Sequence, residues 1–338
     1  MFHKSIARRQ VIKQSSIALS GFICLNSFSI FSNVYKMQQH NIFDVIIVGG
    51  SYAGLSAGLA LGRSLRKVLI IDSGKPCNAQ TPHSHNFITQ DGVPPSEIAL
   101  KAKAQIEKYD TVTFYNGLAI VGRKVDGLFE IETQAGDVFK ARKLIFASGV
   151  KDIMPNIEGF EACWGISVIH CPYCHGYEYN HQPTGILANG EVAFELARLI
   201  NNWTKDLTIF TNGVSTLNQE QLNKISEHHI KVVNSELESL NHIDGYLKEI
   251  VTQDGKKYAI KALYARPTFV QHCDIPTTFG CELTEQNHLK VDMFQKTNIP
   301  GIYACGDNTT MMRAVAAAVA SGNMAGGMVN RDLIMEDF

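Results

Sequence analysis

The fold of this 338-residue chain is decided by the stretch Phe43-Asp44-Val45-Ile46-Ile47-Val48-Gly49-Gly50-Ser51-Tyr52-Ala53-Gly54. Residues 43–48 form a short apolar, β-branched run that is typical of a strand buried on both faces of a parallel sheet. An amphipathic helix follows the glycines, and the next predicted strand, 68–72, ends in Asp72. This order of strand, glycine-rich turn, helix, strand and acid predicts a dinucleotide-binding unit. In such a unit the turn holds a pyrophosphate and the acid holds a ribose hydroxyl.

The turn departs from the usual glycine fingerprint in one place, because Ser51 stands where the middle glycine is normally found. Serine is small enough for a phosphate to approach the backbone, and Asp72 has the expected spacing, so the dinucleotide interpretation holds. The alternative is a βαβ unit that binds no ligand. The residues predicted to contact the nucleotide here are Gly49, Ser51, Ala53, Gly54 and Asp72.

Composition and charge limit the classes of function. At roughly 150 residues per domain, the chain allows two domains with sizeable cores. The formal net charge of −1 gives no indication of binding to nucleic acid or to an anionic membrane. The eight cysteines are scattered apart from one close pair, which is unlike the disulfide framework of a small secreted domain. The cysteines predicted to be small buried residues are Cys77, Cys163, Cys273, Cys281 and Cys305.

A second stretch, His170-Cys171-Pro172-Tyr173-Cys174-His175-Gly176-Tyr177-Glu178, is predicted to carry redox chemistry. Two cysteines at this spacing can cycle between a dithiol and a disulfide, and the free N–H groups of a helix start favour a thiolate. His170 and His175 can exchange protons near neutral pH. The alternatives are half of a zinc site or a buried structural pair. Zinc would need two more ligands and there is no second Cys-x-x-Cys, so no metal is predicted.

The middle of the chain predicts a second, smaller Rossmann-like unit whose nucleotide-binding signals are weak. Its turn keeps only Ala188-Asn189-Gly190, and its second strand ends in Thr211-Asn212-Gly213, with no acid for a ribose and no arginine for a 2′-phosphate. Residues 111–139 alternate in polarity and predict an antiparallel excursion of three or four strands. A last strand, 301–307, then leads into a helix rich in alanine and glycine, which predicts a return to the first unit.

The glycine-rich turn, the Cys-x-x-Cys and the Gly306-Asp307 sequence before the small-residue helix occur in an order that resembles the thioredoxin reductase family. These are FAD-dependent disulfide reductases of the low-molecular-weight type. The resemblance covers about residue 42 to the C-terminus. It implies an α/β fold of two Rossmann-like, three-layer ββα domains. The FAD domain would comprise residues 37–153 and 264–338, interrupted by a central redox domain at 154–263. It also implies a homodimer whose central domain rotates.

The resemblance assigns a role to individual residues of this chain. Cys174 would be the thiol next to the flavin, and Cys171 would exchange with the substrate. Asp72 would hold the adenosine ribose and Asp307 the ribityl chain of FAD. The other residues placed at the cofactor, besides the glycine-rich turn, are Gln80, Asn86, Gly149, Gly306 and Ala314.

Two departures from the NADPH-dependent members indicate a particular branch. The central unit lacks the full glycine fingerprint and the arginines, and His175 replaces the acid that usually follows the second cysteine. Both features are similar to FAD-dependent dithiol oxidases of the gliotoxin and holomycin type. There a substrate dithiol reduces the cysteine pair, the pair reduces FAD, and oxygen re-oxidises the flavin.

Our leading prediction is therefore a flavoprotein thiol–disulfide oxidoreductase that does not use NADPH. Its partner would be a small-molecule dithiol or disulfide, or a thioredoxin-like protein. Two alternatives remain open. One is an NAD(P)H-dependent thioredoxin-disulfide reductase with an unusual nucleotide site, and the other is a flavin redox sensor without turnover.

Residues 1–36 precede the predicted fold. Arg8-Arg9-Gln10-Val11-Ile12-Lys13 resembles a twin-arginine export signal. Residues 17–31 are only moderately apolar, too weak for a stable membrane span. We expect export on this pattern, and a cytoplasmic protein if translation starts at Met37 instead.

Overall fold

The computed structural model describes residues 42–338, and the predicted export signal and Met37 lie outside these described residues. Within that range the helices are α1 (Tyr52–Arg63), α2 (Pro95–Ile106), α3 (Phe160–Cys163), α4 (Pro172–His175), α5 (Gly190–Ile200), α6 (Gln219–Glu227), α7 (Ile275–Thr278) and α8 (Val315–Asp337).

The strands up to the cysteine pair are β1 (Ile42–Val48), β2 (Val68–Asp72), β3 (Val112–Asn116), β4 (Ala119–Val125), β5 (Leu128–Thr133), β6 (Val138–Phe146), β7 (Val150–Asp152) and β8 (Val168–Ile169). The later strands are β9 (Thr184–Leu187), β10 (Leu207–Phe210), β11 (Lys231–Val233), β12 (Leu237–Ile243), β13 (Tyr246–Thr252), β14 (Lys257–Tyr258), β15 (Ala262–Ala265), β16 (Phe269–Gln271) and β17 (Ile302–Ala304).

The first sheet has seven strands in the order β3-β2-β1-β6-β5-β4, and β17 also pairs with β6. Its strand β1 is buried on both faces, as its continuous apolar run predicts. Val45 and Ile47 belong to a core cluster shared with α1 and α8, whereas Ile46 and Val48 belong to a cluster on the opposite face. The sequence prediction of an α/β fold is confirmed.

The prediction for residues 111–139 is wrong in one strand. β4, β5 and β6 are antiparallel, as expected, but β3 is parallel to β2, with Val68 opposite Val112. The reason is that α2 lies between β2 and β3. A helical crossover brings the chain back to the same end of the sheet, so the next strand runs in the same direction.

The second unit contains a five-stranded parallel sheet, in the order β11-β10-β9-β15-β8, and a three-stranded antiparallel sheet, β12-β13-β14. Strand β8 ends at Ile169, so it delivers the chain directly to the cysteine pair. The division of the chain at 153/154 and 263/264 stays a prediction. Strand β15 runs to Ala265, so the second sheet extends two residues past the predicted second boundary.

Two short antiparallel strands, β7 and β16, carry the chain between the two larger sheets. Asp152, at the end of β7, accepts two hydrogen bonds from the Arg313 guanidinium, at 2.6 and 2.8 Å. Arg313 precedes α8, so this bidentate pair ties the crossing segment to the first unit. The geometry is the fork-to-carboxylate arrangement that makes arginine pairs strong.

Helix α8 crosses α1 at very short range because both carry small residues at the crossing. A Cβ added at Gly322 would lie 2.1 Å from the Ala53 carbonyl oxygen, which is a severe clash. This close approach places the first turn of α8 beside the glycine-rich turn at the start of α1. Between residues 42 and 338, no helix combines the length and the apolar character needed to cross a membrane.

Candidate active site

A cavity of about 1010 Å³ lies at the carboxyl ends of the parallel strands of the first sheet. This is the edge at which open parallel sheets bind their ligands. Its wall contains the turn after β1, the end of β2, the segment before α8 and part of the cysteine motif. The cavity thus joins the glycine-rich turn after β1 and the cysteine motif.

The turn after β1 is held in a shape that only glycine tolerates. Gly49 has a φ of +106°, and a Cβ there would lie 2.3 Å from the Ala147 carbonyl oxygen. Ser51 is the N-cap of α1, and its side chain makes no capping hydrogen bond. The first N–H groups of α1 therefore keep their capacity to bind an anion in the cavity.

Asp72 closes the turn from the side of β2. Its carboxylate accepts hydrogen bonds from the backbone N–H groups of Gly50, at 2.9 Å, and Gly74, at 3.2 Å. A Cβ at Gly50 would lie 2.7 Å from the Asp72 Cβ, so glycine is required for this contact. These bonds fix the carboxylate on the cavity wall, and each of its oxygens can still accept a further hydrogen bond.

Asp307 lies on the cavity wall in the segment between β17 and α8. Its Oδ2 is 3.6 Å from Arg313 Nε and 3.9 Å from Cys77 Sγ. Burial raises the pKa of Asp307, and the neighbouring Arg313 charge opposes that shift. The carboxylate therefore keeps a cationic neighbour and has room to accept hydrogen bonds from a ligand.

The residues on this wall fit an extended dinucleotide such as FAD. The Ser148 hydroxyl is buried without a hydrogen-bond partner, and a Cβ at Gly149 would meet nothing within 4 Å. An unpartnered buried hydroxyl and an open glycine indicate space that a polar ligand fills. The volume is at the upper end of the range for small-molecule sites.

The cysteine pair sits at one end of this cavity. Cys171 is the N-cap of the one-turn helix α4, and Cys174 is inside it; their Cα atoms are 5.3 Å apart and the sulfurs form a disulfide. The backbone N–H groups of Cys174 and His175 both donate to the Cys171 carbonyl oxygen, at 3.3 and 3.2 Å. Cys174 lines the cavity and Cys171 does not.

Two histidines flank the disulfide. Burial lowers the pKa of His170 to about 4, with a further contribution from the Arg313 charge. Burial also lowers the pKa of His175 to about 4, and the neighbouring His85 adds to this shift. Both imidazoles are therefore neutral at pH 7, which leaves each of them able to accept a proton.

Most of the residues predicted from the sequence come together in this cavity. Its wall includes Gly49, Ser51, Ala53, Asp72, Gln80, Gly149, His170, Cys174, His175, Gly306, Asp307 and Ala314. Gly54 is not on the wall: a Cβ there would lie 1.8 Å from the Gly49 carbonyl oxygen, so its role is to let α1 approach the turn. Asn86 is not on the wall either, and its backbone N–H donates to Asp91.

Sequence reasoning missed several residues of the site. Cys77 was predicted to be buried, but it is exposed on the cavity wall, because the loop after β2 opens toward Asp307. The pairing of Asp152 with Arg313 also had no signal in the sequence. His85 had no predicted role, although it lines the cavity and its ring meets that of His175.

Comparison with known proteins agrees with this geometry. The family model described as pyridine nucleotide-disulphide oxidoreductase matches residues 43–322. A similar protein is thioredoxin reductase tcpT of Claviceps purpurea (strain 20.1). It is 32% identical over 311 residues, which cover 89% of this chain and 97% of the relative.

Two solved structures are also similar. One is the putative thioredoxin reductase TrxB from Bacillus anthracis, with a TM-score of 0.83 and 31% identity; the match covers 87% of this chain and 100% of that one. The other is an oxidoreductase from Agrobacterium tumefaciens, with a TM-score of 0.82 and 35% identity; the match covers 87% of this chain and 99% of that one.

Proposed function

This chain belongs to the pyridine nucleotide-disulphide oxidoreductase family, and from that premise we propose that it oxidises an external dithiol through its Cys171–Cys174 disulfide, without a nicotinamide reductant. It is an FAD-dependent enzyme of the thioredoxin reductase-like type. The observation that supports the finer assignment is the position of Cys174 on the wall of the cavity that also holds the glycine-rich turn, Asp72 and Asp307.

The residues that would hold FAD lie along this cavity. The free N–H groups at the start of α1 would bind the pyrophosphate, and Asp72 would accept from the adenosine ribose. Asp307 would accept from the ribityl hydroxyls. Bound FAD supplies the two-electron acceptor that the reduced cysteine pair requires.

The exchange chemistry at the disulfide can be written with the two sulfurs in separate roles. One substrate thiolate attacks the Cys171 sulfur, the Cys171–Cys174 bond breaks, and Cys174 leaves as a thiolate. The second substrate thiolate then attacks the substrate sulfur of the mixed disulfide, and Cys171 leaves. The substrate becomes a disulfide, the pair becomes reduced, and the protons of the two substrate thiols are taken up by bases in the site.

The neutral histidines supply those bases. His175 follows Cys174 directly, at the end of α4, and its lowered pKa keeps it in the proton-accepting form at neutral pH. His170 lies on the other side of the pair, with its Nε2 buried and without a partner. Each can accept a proton from a thiol that approaches the disulfide.

The proposed function is tested by adding a dithiol to the purified yellow protein without oxygen. We expect the dithiol to bleach the flavin absorbance, and steady-state oxygen uptake to follow when air is admitted. A protein that is not bleached by any dithiol, but is bleached by NADPH, would instead be an ordinary reductase. Bleaching without repeated turnover would indicate a redox sensor.

Asp307→Ala is expected to weaken FAD binding by about tenfold to a hundredfold, the cost of one charge-assisted hydrogen bond in a buried site. The measurement is the ratio of flavin to protein absorbance after gel filtration. Asp110→Ala, which removes an exposed carboxylate away from the cavity wall, is the matched control. Full flavin occupancy in Asp307→Ala would show that Asp307 does not hold the cofactor.

His175→Ala is expected to slow dithiol oxidation about a hundredfold at pH 7, within the range for loss of a general base. Because the pKa of His175 is lowered to about 4, the base is lost only as the pH falls through that region. The unaltered protein should therefore show an acid limb near pH 4, and the variant should keep only the smaller part that His170, whose pKa is also lowered to about 4, contributes. The exposed His228 provides the control variant His228→Ala. Identical pH profiles would exclude His175 as the base.

We also propose a homodimer and export through the twin-arginine pattern at Arg8-Arg9. Support for the dimer comes from the family resemblance, and support for export comes from residues 1–36 alone. Measurement of mass in solution tests the dimer. Arg8→Lys with Arg9→Lys tests export, because the exported protein should then stay in the cytoplasm.

A further inference from the structure

His85 occupies a fixed position opposite the cysteine motif. It lies in the loop between β2 and α2. In this loop Ser84 donates from its N–H to the Val93 carbonyl, at 3.0 Å, and Gly92 donates to the Ser84 carbonyl, at 2.9 Å. This pairing holds the segment as a short ordered hairpin. The His85 side chain is 20% exposed and lines the cavity.

Two carboxylates lie near the nitrogens of the His85 ring. Its Nε2 is 3.5 Å from Glu178 Oε1, and its Nδ1 is 3.7 Å from Asp91 Oδ1. Asp91 is itself fixed, because its Oδ1 accepts from the Asn86 N–H at 2.8 Å. The Asp91 side chain is 68% exposed, so this end of the arrangement is open to solvent.

The His85 ring also meets His175 edge to face, with the ring centroids 6.5 Å apart. His83 is the other titratable group facing His85, with centroids 6.4 Å apart. His83 instead directs its Nδ1 to the Gly92 carbonyl, at 3.0 Å. The titratable groups around His85 therefore lie on three sides. His175 is on the side of the disulfide, and His83 is in the same loop as His85. Glu178 and Asp91 are near the two ring nitrogens.

We propose that His85 is a positioning residue that passes protons between His175 and solvent. This inference rests on the proposed function, because the protons of the substrate thiols must move off sulfur in each turnover and the solvent must supply protons again when oxygen takes up the two electrons. A buried imidazole with a low proton affinity holds a proton only briefly, so it needs an acceptor nearby. His85 is that acceptor, at a separation that one water molecule can bridge.

The proton balance of this relay is simple. A proton leaves a substrate thiol for His175, passes to His85, and leaves for solvent beside Asp91. Apart from the S–H bond that the first transfer breaks, no bond to sulfur changes, and both imidazoles return to their starting protonation state. The path links the loop of the first unit to the segment that carries the cysteine pair, so it is complete only with the two units placed as they are in this structure.

The first test compares His85→Ala with the control variant His228→Ala, at an exposed histidine away from the cavity wall, in the FAD-loaded protein, with dithiothreitol as the probe under air. We expect His85→Ala to slow turnover about tenfold, less than for a group that touches the reacting thiol. Added imidazole should restore much of the rate in His85→Ala, and His228→Ala should behave as the unaltered protein does. A slow His85→Ala protein that imidazole does not rescue would overturn the relay, as would equal rates in the two variants.

A second measurement does not depend on turnover. The reduced protein is alkylated with iodoacetamide across the pH range. Because His85 exchanges protons with His175, which follows Cys174 directly, His85→Ala should change how the alkylation rate of the pair varies with pH. Absence of dithiol turnover in the unaltered protein would contradict the proposed function but leave this comparison intact. Identical alkylation profiles would contradict the proposal for His85.

Discussion

Cys171→Ser and Cys174→Ser are each expected to lose dithiol oxidation by about a thousandfold or more, as when a covalent nucleophile is removed from an enzyme. Each substitution removes one of the two sulfurs that form the disulfide, so neither variant can cycle. The measurement is steady-state oxygen uptake with a dithiol. Cys281→Ser is the matched control, because its hydroxyl can keep the contact with Thr297 Oγ1 that Cys281 Sγ makes at 3.7 Å.

The two variants should differ from each other in a way that the structure explains. Cys174 lines the cavity and Cys171 does not. Cys174→Ser keeps the sulfur that meets substrate, so with a small disulfide as the probe its Cys171 thiolate should form a mixed disulfide and release one thiol, seen as an added mass. Cys171→Ser keeps the sulfur at the cavity, and its thiolate should give a broad long-wavelength absorption band with bound flavin. If the mixed disulfide and the band each appear in the opposite variant, the two roles are reversed.

Much of the fold can be predicted from the sequence because its signals are local. The apolar run of β1, the turn at Gly49 and the carboxylate of Asp72 follow one another within a single βαβ unit, where spacing alone determines the geometry. The direction of β3 is different. It depends on whether the preceding segment crosses over as a helix. The alternation of polar and apolar residues in a strand is the same whichever way the strand runs, so it does not indicate the direction.

The site shows the same division between local and distant information. Cys171, Cys174 and His175 share one motif, so their proximity follows from sequence. The pairing of Asp152 with Arg313 joins residues 161 positions apart and has no pattern to indicate it. Asn86 was predicted at the cofactor and is not on the cavity wall. It lies in the correct loop with a φ of +59°, and its backbone N–H donates to Asp91. The residue of this loop that lines the cavity is its neighbour His85.

NADPH and NADH are expected to reduce the protein more slowly than a dithiol does. The reason is that the turn after β9, where a nicotinamide dinucleotide would bind, is filled by hydrogen bonds within the chain. Asn189 Oδ1 accepts hydrogen bonds from Gly190 N and Thr216 N, both at 2.8 Å, and from Thr216 Oγ1 at 3.1 Å. Asn189 Nδ2 donates to the Val214 carbonyl at 2.8 Å. This network uses the first N–H group of α5, which a pyrophosphate would otherwise bind.

The residues where a ribose would bind are also hydrogen-bonded to other parts of the same chain. Thr211, directly after β10, donates its hydroxyl to the Gly213 carbonyl at 2.6 Å. Asn212 Oδ1 accepts from the Leu237 N–H at 2.7 Å. Neither residue is an acid for a 2′-hydroxyl, and residues 211–218 contain no lysine or arginine for a 2′-phosphate. Glu191, in the first turn of α5, adds a negative charge where phosphates would lie.

The loss of two charge-assisted contacts to phosphate corresponds to roughly 3–6 kcal/mol, or about two to four decades of affinity. The measurement is stopped-flow bleaching of the flavin without oxygen, with dithiol, NADPH and NADH at equal concentration. Asn189→Gly opens the network without adding a cation or a ribose acid, so it should remain slow with both nicotinamides. Rapid bleaching of the unaltered protein by either nicotinamide would mean that this turn binds the nucleotide despite its closure. Rapid bleaching only in Asn189→Gly would mean that the asparagine network, and not the missing charges, is what keeps nicotinamides out.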